Sequence, residues 1–198
     1  MERELLKKNF ENHGFETSFF EKKEDAARYL ADRIKGERVA FGGSITVKEM
    51  GLFELLGKEN EVAWHWITPG RETLETARNA RVYITSANGV SETGEIVNID
   101  GTGNRVSETL FGPAKTYFVV GCNKIEADLP KAYDRAKNTA CPKNAVRLQV
   151  KTPCVANGGD RCYNCNSPER ICGATVILER PCRGMEVEVV FVDEPLGY

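Results

Sequence analysis

Val39-Ala40-Phe41-Gly42-Gly43-Ser44-Ile45-Thr46-Val47 is the stretch on which the fold turns. Three apolar residues run into two glycines, and hydroxyl residues then open an apolar run of Val47, Met50, Leu52, Phe53, Leu55 and Leu56. A short strand over 39–41 passes through a tight turn into a buried helix that Gly57 ends. Thr46 and Glu49 stand at the spacing of a capping box. Such a strand–turn–helix unit is the building block of an α/β domain.

The same grammar extends outward. Upstream, Ala27, Leu30, Ala31 and Ile34 lie at i, i+3, i+4 and i+7, which predicts a helix over 23–35 closed by Gly36. Residues 15–20 form a short strand candidate, and 2–12 a charged amphipathic helix carrying Leu6 and Phe10 and stopping at His13-Gly14. Downstream, Val62, Trp64 and Trp66 share one face of a strand and Ala63, His65 and Ile67 the other, so 62–67 reads as a central strand covered on both sides. A helix over 71–79 follows Pro69-Gly70, then a strand over 82–85. Glu92-Thr93-Gly94-Glu95 turns a hairpin within 90–99. A buried strand over 117–120 stops at Gly121, and a helix over 128–138 has Asp128 as N-cap and Pro130 in its first turn. Strands at 174–178 and 186–192 close the chain. The alternation predicts one three-layer α/β domain over 1–198. Its single, mainly parallel sheet is covered on both faces and has 39–41, 62–67, 82–85 and 117–120 among its inner strands.

Composition sets the outer limits. The 198 residues are 41% hydrophobic and 28% charged, which excludes a disordered or fibrous chain. A net charge of −2 gives no basic footprint, so no nucleic-acid partner is expected. No apolar run approaches the roughly 18 residues of a membrane helix. MERELLKKNF is charged from its second residue and has no apolar region of a signal peptide. A cytoplasmic protein without a membrane partner is the expectation. Seven cysteines in a reducing compartment are then thiols or metal ligands rather than structural disulfides.

Two glycine-rich segments are candidate ligand loops. In the first, Gly42 and Gly43 permit close approach to the backbone, and Ser44 and Thr46 add hydroxyls at a helix start. The plainer alternative is a capped strand-to-helix turn. In the second, Gly101 and Gly103 can turn successive N–H groups inward as an anion nest, beside Asn104 and an Arg105 able to clamp a phosphate or carboxylate. Its alternative is a hairpin return with Asp100-Gly101 as the turn. Ser86 and Asn88 follow one predicted strand, and Asn123 and Lys124 another. Parallel strands place their carboxyl ends on one edge, so these segments are expected to converge on one anion site. Glu49, Arg105 and Lys124 are the candidate catalytic residues.

Ser86-Ala87-Asn88, Glu92-Thr93-Gly94, Asn98-Ile99-Asp100-Gly101-Thr102-Gly103-Asn104-Arg105, Phe111-Gly112-Pro113 and Val119-Val120-Gly121-Cys122-Asn123-Lys124 resemble the LUD (lactate utilisation) domain. The likeness runs roughly from the Gly42 turn to Leu196-Gly197-Tyr198. It implies a fold similar to the sugar-phosphate isomerase and coenzyme A transferase group. It also implies a role in bacterial oxidation of lactate or a related organic acid, beside iron–sulfur partner proteins and acting on a small anionic metabolite.

Cys154-x7-Cys162-x2-Cys165-x6-Cys172, within an aperiodic loop at about 151–173, is the sharpest chemical signal. A Cys-x2-Cys turn aims two thiolates at one ion, and the flanking cysteines complete a tetrahedral sulfur set that suits an iron–sulfur cluster or zinc. The resemblance assigns this motif to a subset of LUD proteins and favours the cluster. Free surface thiols, or a redox pair of Cys162 and Cys165, are the alternatives. Cys122, Cys141 and Cys182 stand alone and read as packing residues; His13 and His65 read as packing or surface residues. Two further functions remain open beside the lactate role. One is a group-transfer or ligase-like enzyme acting on a phosphorylated or carboxylated metabolite, and the other a non-catalytic assembly or redox subunit.

Overall fold

The computed structural model describes residues 2–198. The helices are α1 (Arg3–Asn12), α2 (Lys23–Arg33), α3 (Ile45–Glu49), α4 (Leu52–Leu56), α5 (Arg71–Arg78), α6 (Asn104–Ser107), α7 (Leu129–Arg135), α8 (Cys141–Leu148) and α9 (Pro153–Ala156). The strands are β1 (Glu16–Phe20), β2 (Arg38–Phe41), β3 (Glu61–Ala63), β4 (Val82–Thr85), β5 (Gly89–Ser91), β6 (Ile96–Asp100), β7 (Lys115–Gly121), β8 (Ile125–Glu126), β9 (Ala174–Leu178) and β10 (Glu186–Val192). Six strands form a parallel sheet in the order β1-β10-β7-β4-β2-β3. The α/β class with a mainly parallel sheet is as expected.

Strand periodicity sorts the core. Val39, Phe41, Val82, Ile84, Tyr117, Val119, Val190 and Val192 face α2, α3 and α4. Phe118, Val120, Val189 and Phe191 face the other way, onto Leu6 and Phe10 of α1 and onto a second sheet. Toward β2 and β4, Ala77 of α5 packs on Ala40 and Tyr83. The second sheet, β8-β5-β6-β9, was not expected. Its hairpin β5–β6 was foreseen, but β9 joins it from far along the chain, pairing antiparallel with β6. Val97 and Ile99 on its outer face pack on Ala132 and Ala136 of the α7 region and on Cys141.

Three local expectations are corrected. The strand over 62–67 is only β3, and it lies at the sheet edge, not inside. The chain turns at Trp64, and its indole stacks on that of Trp66 at 5.6 Å between centroids. The apolar residues there fill a corner, which is why they mimic a buried strand. The helix after the glycine turn is split, because Gly51 adopts φ +62° between α3 and α4. Its N-cap is Ser44, whose Oγ accepts from the Val47 N–H at 3.2 Å, so the Thr46–Glu49 capping box does not form.

The helix expected over 128–138 begins as foreseen, with Lys131 N donating to Asp128 Oδ1 at 2.8 Å. It then continues through a π-helical turn, Ala136–Ala140, into α8. Pro142 lacks an N–H and its ring crowds the preceding turn, so a regular α-helix is disfavoured there. The wider π turn just upstream lets the helix proceed.

Candidate functional site

The carboxyl ends of β2, β4 and β7 open on a cleft of about 240 Å³. Its floor is Lys124, in the 3-10 turn that follows β7 and 4% exposed. Lys124 Nζ donates to Thr46 Oγ1 at 2.8 Å, Ser86 Oγ at 2.9 Å and the Ala87 carbonyl at 3.2 Å. One amine thus ties three strand ends together. Burial first, then the nearby Arg135 and Arg105, push its pKa down from 10.5 to about 7, while Glu49 pulls the other way.

Gly43, Ser44, Thr46, Ser86, Asn88, Gly101, Asn104, Arg105 and Lys124 line this cleft, so most of the expected ligand residues come together. Gly42, Gly103, Asn123 and Glu49 do not line it. Gly42 lies beneath the surface, where an added β-carbon would meet Tyr83 Oη at 2.4 Å. Gly103 is the left-handed residue that opens α6. Asn123 and Glu49 hold the C-terminal segment. Leu196 N donates to Asn123 Oδ1 at 3.0 Å, Asn123 Nδ2 donates to the Gly197 carbonyl at 3.4 Å, and Gly197 N donates to Glu49 Oε2 at 2.8 Å.

The glycine nest is real, but the anion it holds is the protein's own. Asp100 Oδ1 accepts from Thr102 N and Gly103 N, each at 3.1 Å, and its Oδ2 accepts from Arg105 N and Val106 N, each at 3.2 Å. Arg105 is likewise engaged. Nη1 donates to the Ser86 carbonyl and to Asn98 Oδ1, Nη2 donates to Asn88 Oδ1 and to the Ile99 carbonyl, and Nε stands 3.8 Å from Asp100 Oδ2. Both terminal nitrogens are spent on joining β4 to β6. The side chain forms part of the cleft wall instead of a free clamp.

Several cleft residues went unread in the sequence. Trp66 covers the glycine turn, and an added β-carbon on Gly43 would meet its ring at 2.8 Å. Arg147 lies over the Trp66 ring, 4.6 Å from its centroid, and Tyr198 is beside it in the wall. Asn144 adds its side-chain amide. His65 lines the cleft and is not a mid-strand packing residue; burial lowers its pKa, and the Asp100 carboxylate opposes that shift. Ala140, Asn144, Arg147 and Leu148 reach the cleft from one helical face, a spacing of i, i+4, i+7 and i+8 that the sequence does contain.

Cys154, Cys162, Cys165 and Cys172 line a second, small cavity of about 20 Å³, together with Cys141. Asn164 takes a left-handed backbone, φ +43°, and its N–H donates to Cys162 Sγ at 3.3 Å. Arg170 Nε donates to Cys172 Sγ at 3.2 Å, and Thr152 Oγ1 is 3.1 Å from Cys154 Sγ. Donors directed at sulfur suit thiolates. Among the described residues, no three His, Cys, Asp or Glu side chains are drawn close enough to hold one ion. Cys141 differs from the four. It is buried, and burial, reinforced by Cys172, pushes its thiol up to about 12. Cys141 and Ile171 line both cavities, so the two compartments share a wall.

The model of the LUD domain matches residues 3–192. The chain belongs to the LUD domain family. A crystal structure of a DUF162 family protein from Deinococcus radiodurans is similar over 96% of this chain and 95% of that one, with a TM-score of 0.55 at 14% identity. That likeness is one of fold. A weaker likeness, TM-score 0.35 at 16% identity over 54% of each chain, is to ribose 5 phosphate isomerase A from Neisseria gonorrhoeae. No curated protein matches this LUD domain. No helix among its described residues is long and apolar enough to cross a membrane.

Proposed function

We propose that this LUD domain serves the metabolism of lactate or a related organic acid and binds a small carboxylate or phosphate anion in the cleft. The observation that carries the reading is the charge balance of the cleft wall. Arg105 and Arg147, beside the Lys124 amine, line it against Asp100, whose carboxylate is already held by four backbone N–H groups. A concave site at the carboxyl edge of a parallel sheet is where α/β proteins bind ligands. Arg147 is the cation at hand: its Nε and Nη2 donate to Asn144 Oδ1 at 3.0 and 2.8 Å, which leaves Nη1 for a ligand, whereas both terminal nitrogens of Arg105 are spent on the protein. Calorimetric titration with lactate, pyruvate and inorganic phosphate tests this. At least one should bind, and Arg147→Ala should weaken it roughly tenfold, the worth of one charge-assisted hydrogen bond. No binding by any of the three, or no change in Arg147→Ala, would refute the reading.

The four half-buried cysteines are proposed as ligands of an iron–sulfur cluster, with zinc as the alternative. Four thiols lining one cavity, three of them beside a hydrogen-bond donor, fit such a group in donor chemistry. When bound, a cluster supplies one-electron transfer, consistent with iron–sulfur partner proteins. The protein's part is to fix the Cys162–Cys165 turn through Asn164 and to hold Arg170 beside Cys172. Anaerobic purification with metal and acid-labile sulfide analysis decides it. Iron with sulfide supports the cluster, zinc alone assigns zinc, and a metal-free protein removes the proposal.

A further inference from the structure

Lys115 opens β7 and Lys124 lies in the 3-10 turn that follows it, and the two are treated in opposite ways. Lys115 Nζ faces three carboxylates, Glu16 at 2.8 Å, Glu186 at 3.6 Å and Glu188 at 3.8 Å. Lys124 is more deeply buried, yet no carboxylate of the described residues stands within 4.0 Å of its Nζ. Its three partners are uncharged. The charged groups that act on it are Arg135 from the α7 helix, Arg105 from α6 and Glu49 from α3, two cations against one anion. Buried lysines are ordinarily paired, because an uncompensated ammonium is costly to desolvate.

Two of the three hydrogen bonds are enough to hold a neutral amine. Thr46 Oγ1 donates to the Leu196 carbonyl at 3.1 Å, so it must accept from Lys124. The Ala87 carbonyl can only accept. Those two acceptors use both N–H bonds of an amine. Ser86 Oγ takes the third N–H of an ammonium at 2.9 Å, and its own hydroxyl donates to the Ala87 carbonyl. Loss of that third proton leaves the lone pair toward Ser86 Oγ, which lines the cleft.

We propose that Lys124 is a nucleophilic amine that forms an imine with a small aldehyde or ketone bearing a carboxylate or phosphate. This rests on the reading of the cleft as an anion site and names the class of compound it takes. The Nζ lone pair attacks the carbonyl carbon, forming the C–N bond while the C–O π pair moves onto oxygen. One proton passes from nitrogen to that oxygen, relayed by the Ser86 hydroxyl, to give a carbinolamine. The C–O bond then breaks, and the hydroxyl leaves as water with the second nitrogen proton as C=N forms. Nothing is oxidised or reduced. Arg147 and Asn144, across the cleft, meet the anionic end of the compound. A desolvated lysine beside other cations is a known means of keeping an amine nucleophilic.

Borohydride reduction fixes an imine as a stable amine, and peptide mass mapping locates it. The intact chain should be treated at pH 7.5 with glyoxylate, with glycolaldehyde phosphate, or with neutral glycolaldehyde, then reduced and digested. The expected result is label on Lys124 at least tenfold above any other lysine with one of the charged aldehydes. The better of the two separates carboxylate from phosphate as the natural anion. Lys124→Arg keeps the charge and should lose that label. If that variant does not fold, inorganic phosphate should protect Lys124 in the wild type. Label confined to exposed lysines overturns the proposal. If phosphate or lactate still binds in the calorimeter, only the imine fails; if nothing binds, the anion reading fails with it. Equal labelling by neutral glycolaldehyde supports the amine and refutes the anionic requirement.

Discussion

At the cleft floor the polar side chains answer one another, whereas around the cysteine cavity two N–H groups donate to sulfur and a hydroxyl stands beside a third. Asp100, Arg105, Asn98, Asn88, Ser86, Thr46 and Lys124 form a connected set in which each member has a protein partner. No outside group is needed to hold its shape. In the cysteine loop only short elements occur, and Arg170, Asn164 and Thr152 address the sulfurs. The difference separates a preorganised wall from a frame built to accept something. Preorganisation is what makes a binding site selective without the cost of ordering it at each encounter.

The largest expected effect would break the first half of that contrast. Asp100→Ala leaves four N–H groups without an acceptor and a guanidinium without its counter-charge. It should cost about 3–5 kcal/mol of stability in urea or guanidinium unfolding. A loss under about 1 kcal/mol would show that the set is not preorganised. Next in size is the cysteine loop. If a metal sits there at a hundred times its dissociation constant, it contributes about 2.7 kcal/mol. Chelation should then lower the melting temperature of wild type but not of Cys165→Ser, and should leave anion binding in the cleft unchanged. A cleft that weakens on chelation would merge the two regions into one.

Arg105→Ala comes next, with an expected loss of about 2–3 kcal/mol from its charged hydrogen bonds, read by thermal unfolding. Anion affinity should change much less than in Arg147→Ala. The reverse order would return Arg105 to the role of clamp. Smaller than these per pH unit is the slope set by Lys124. Its folded-state pKa, about 7, lies below the ordinary 10.5, so between those values the unfolded chain binds more protons. Stability should therefore rise with pH from about 7 toward 10.5, by on the order of 1 kcal/mol per unit at most. Lys124→Met should flatten this part of the curve. Identical slopes in both proteins would mean that Lys124 titrates as an exposed lysine does.

What the sequence conveyed followed the range of the forces involved. The Phe41–Thr46 turn and the helix start at Asp128 are local, and were legible from spacing and residue type. The second sheet was not, because β9 meets β6 through pairing such as Asn98 with Val176, across a long separation that no window spans. Residues 62–67 misled because the apolarity of Trp64 and Trp66 serves ring stacking at a sheet edge. In the nest, residue type announced anion chemistry correctly. The rival hidden in plain sight was Asp100, since an aspartate before a glycine turn readily bonds the N–H groups two and three residues on. Arg147 is not legible as a cleft residue because the spacing predicts a helix that ends at 138, whereas the helical run continues through the π turn into α8.

The π turn at Ala136–Ala140 has a consequence for how this chain tolerates change in length. Beyond it, α8 presents Asn144 and Arg147 to the cleft and Ala145 to the cysteine cavity, with Cys141 touching both. A π turn holds one residue more than the α-helix around it needs, and its wider turn absorbs that surplus so that everything after it keeps its rotational phase. Removing one residue from 136–140 would restore plain α-helix with α8 in place, whereas removing a second would turn α8 by about 100° on its own axis. Arg147 and Cys141 would leave their compartments together, though neither had been substituted. The helix therefore works as a shaft with two cams, and length in this segment is constrained by both compartments at once.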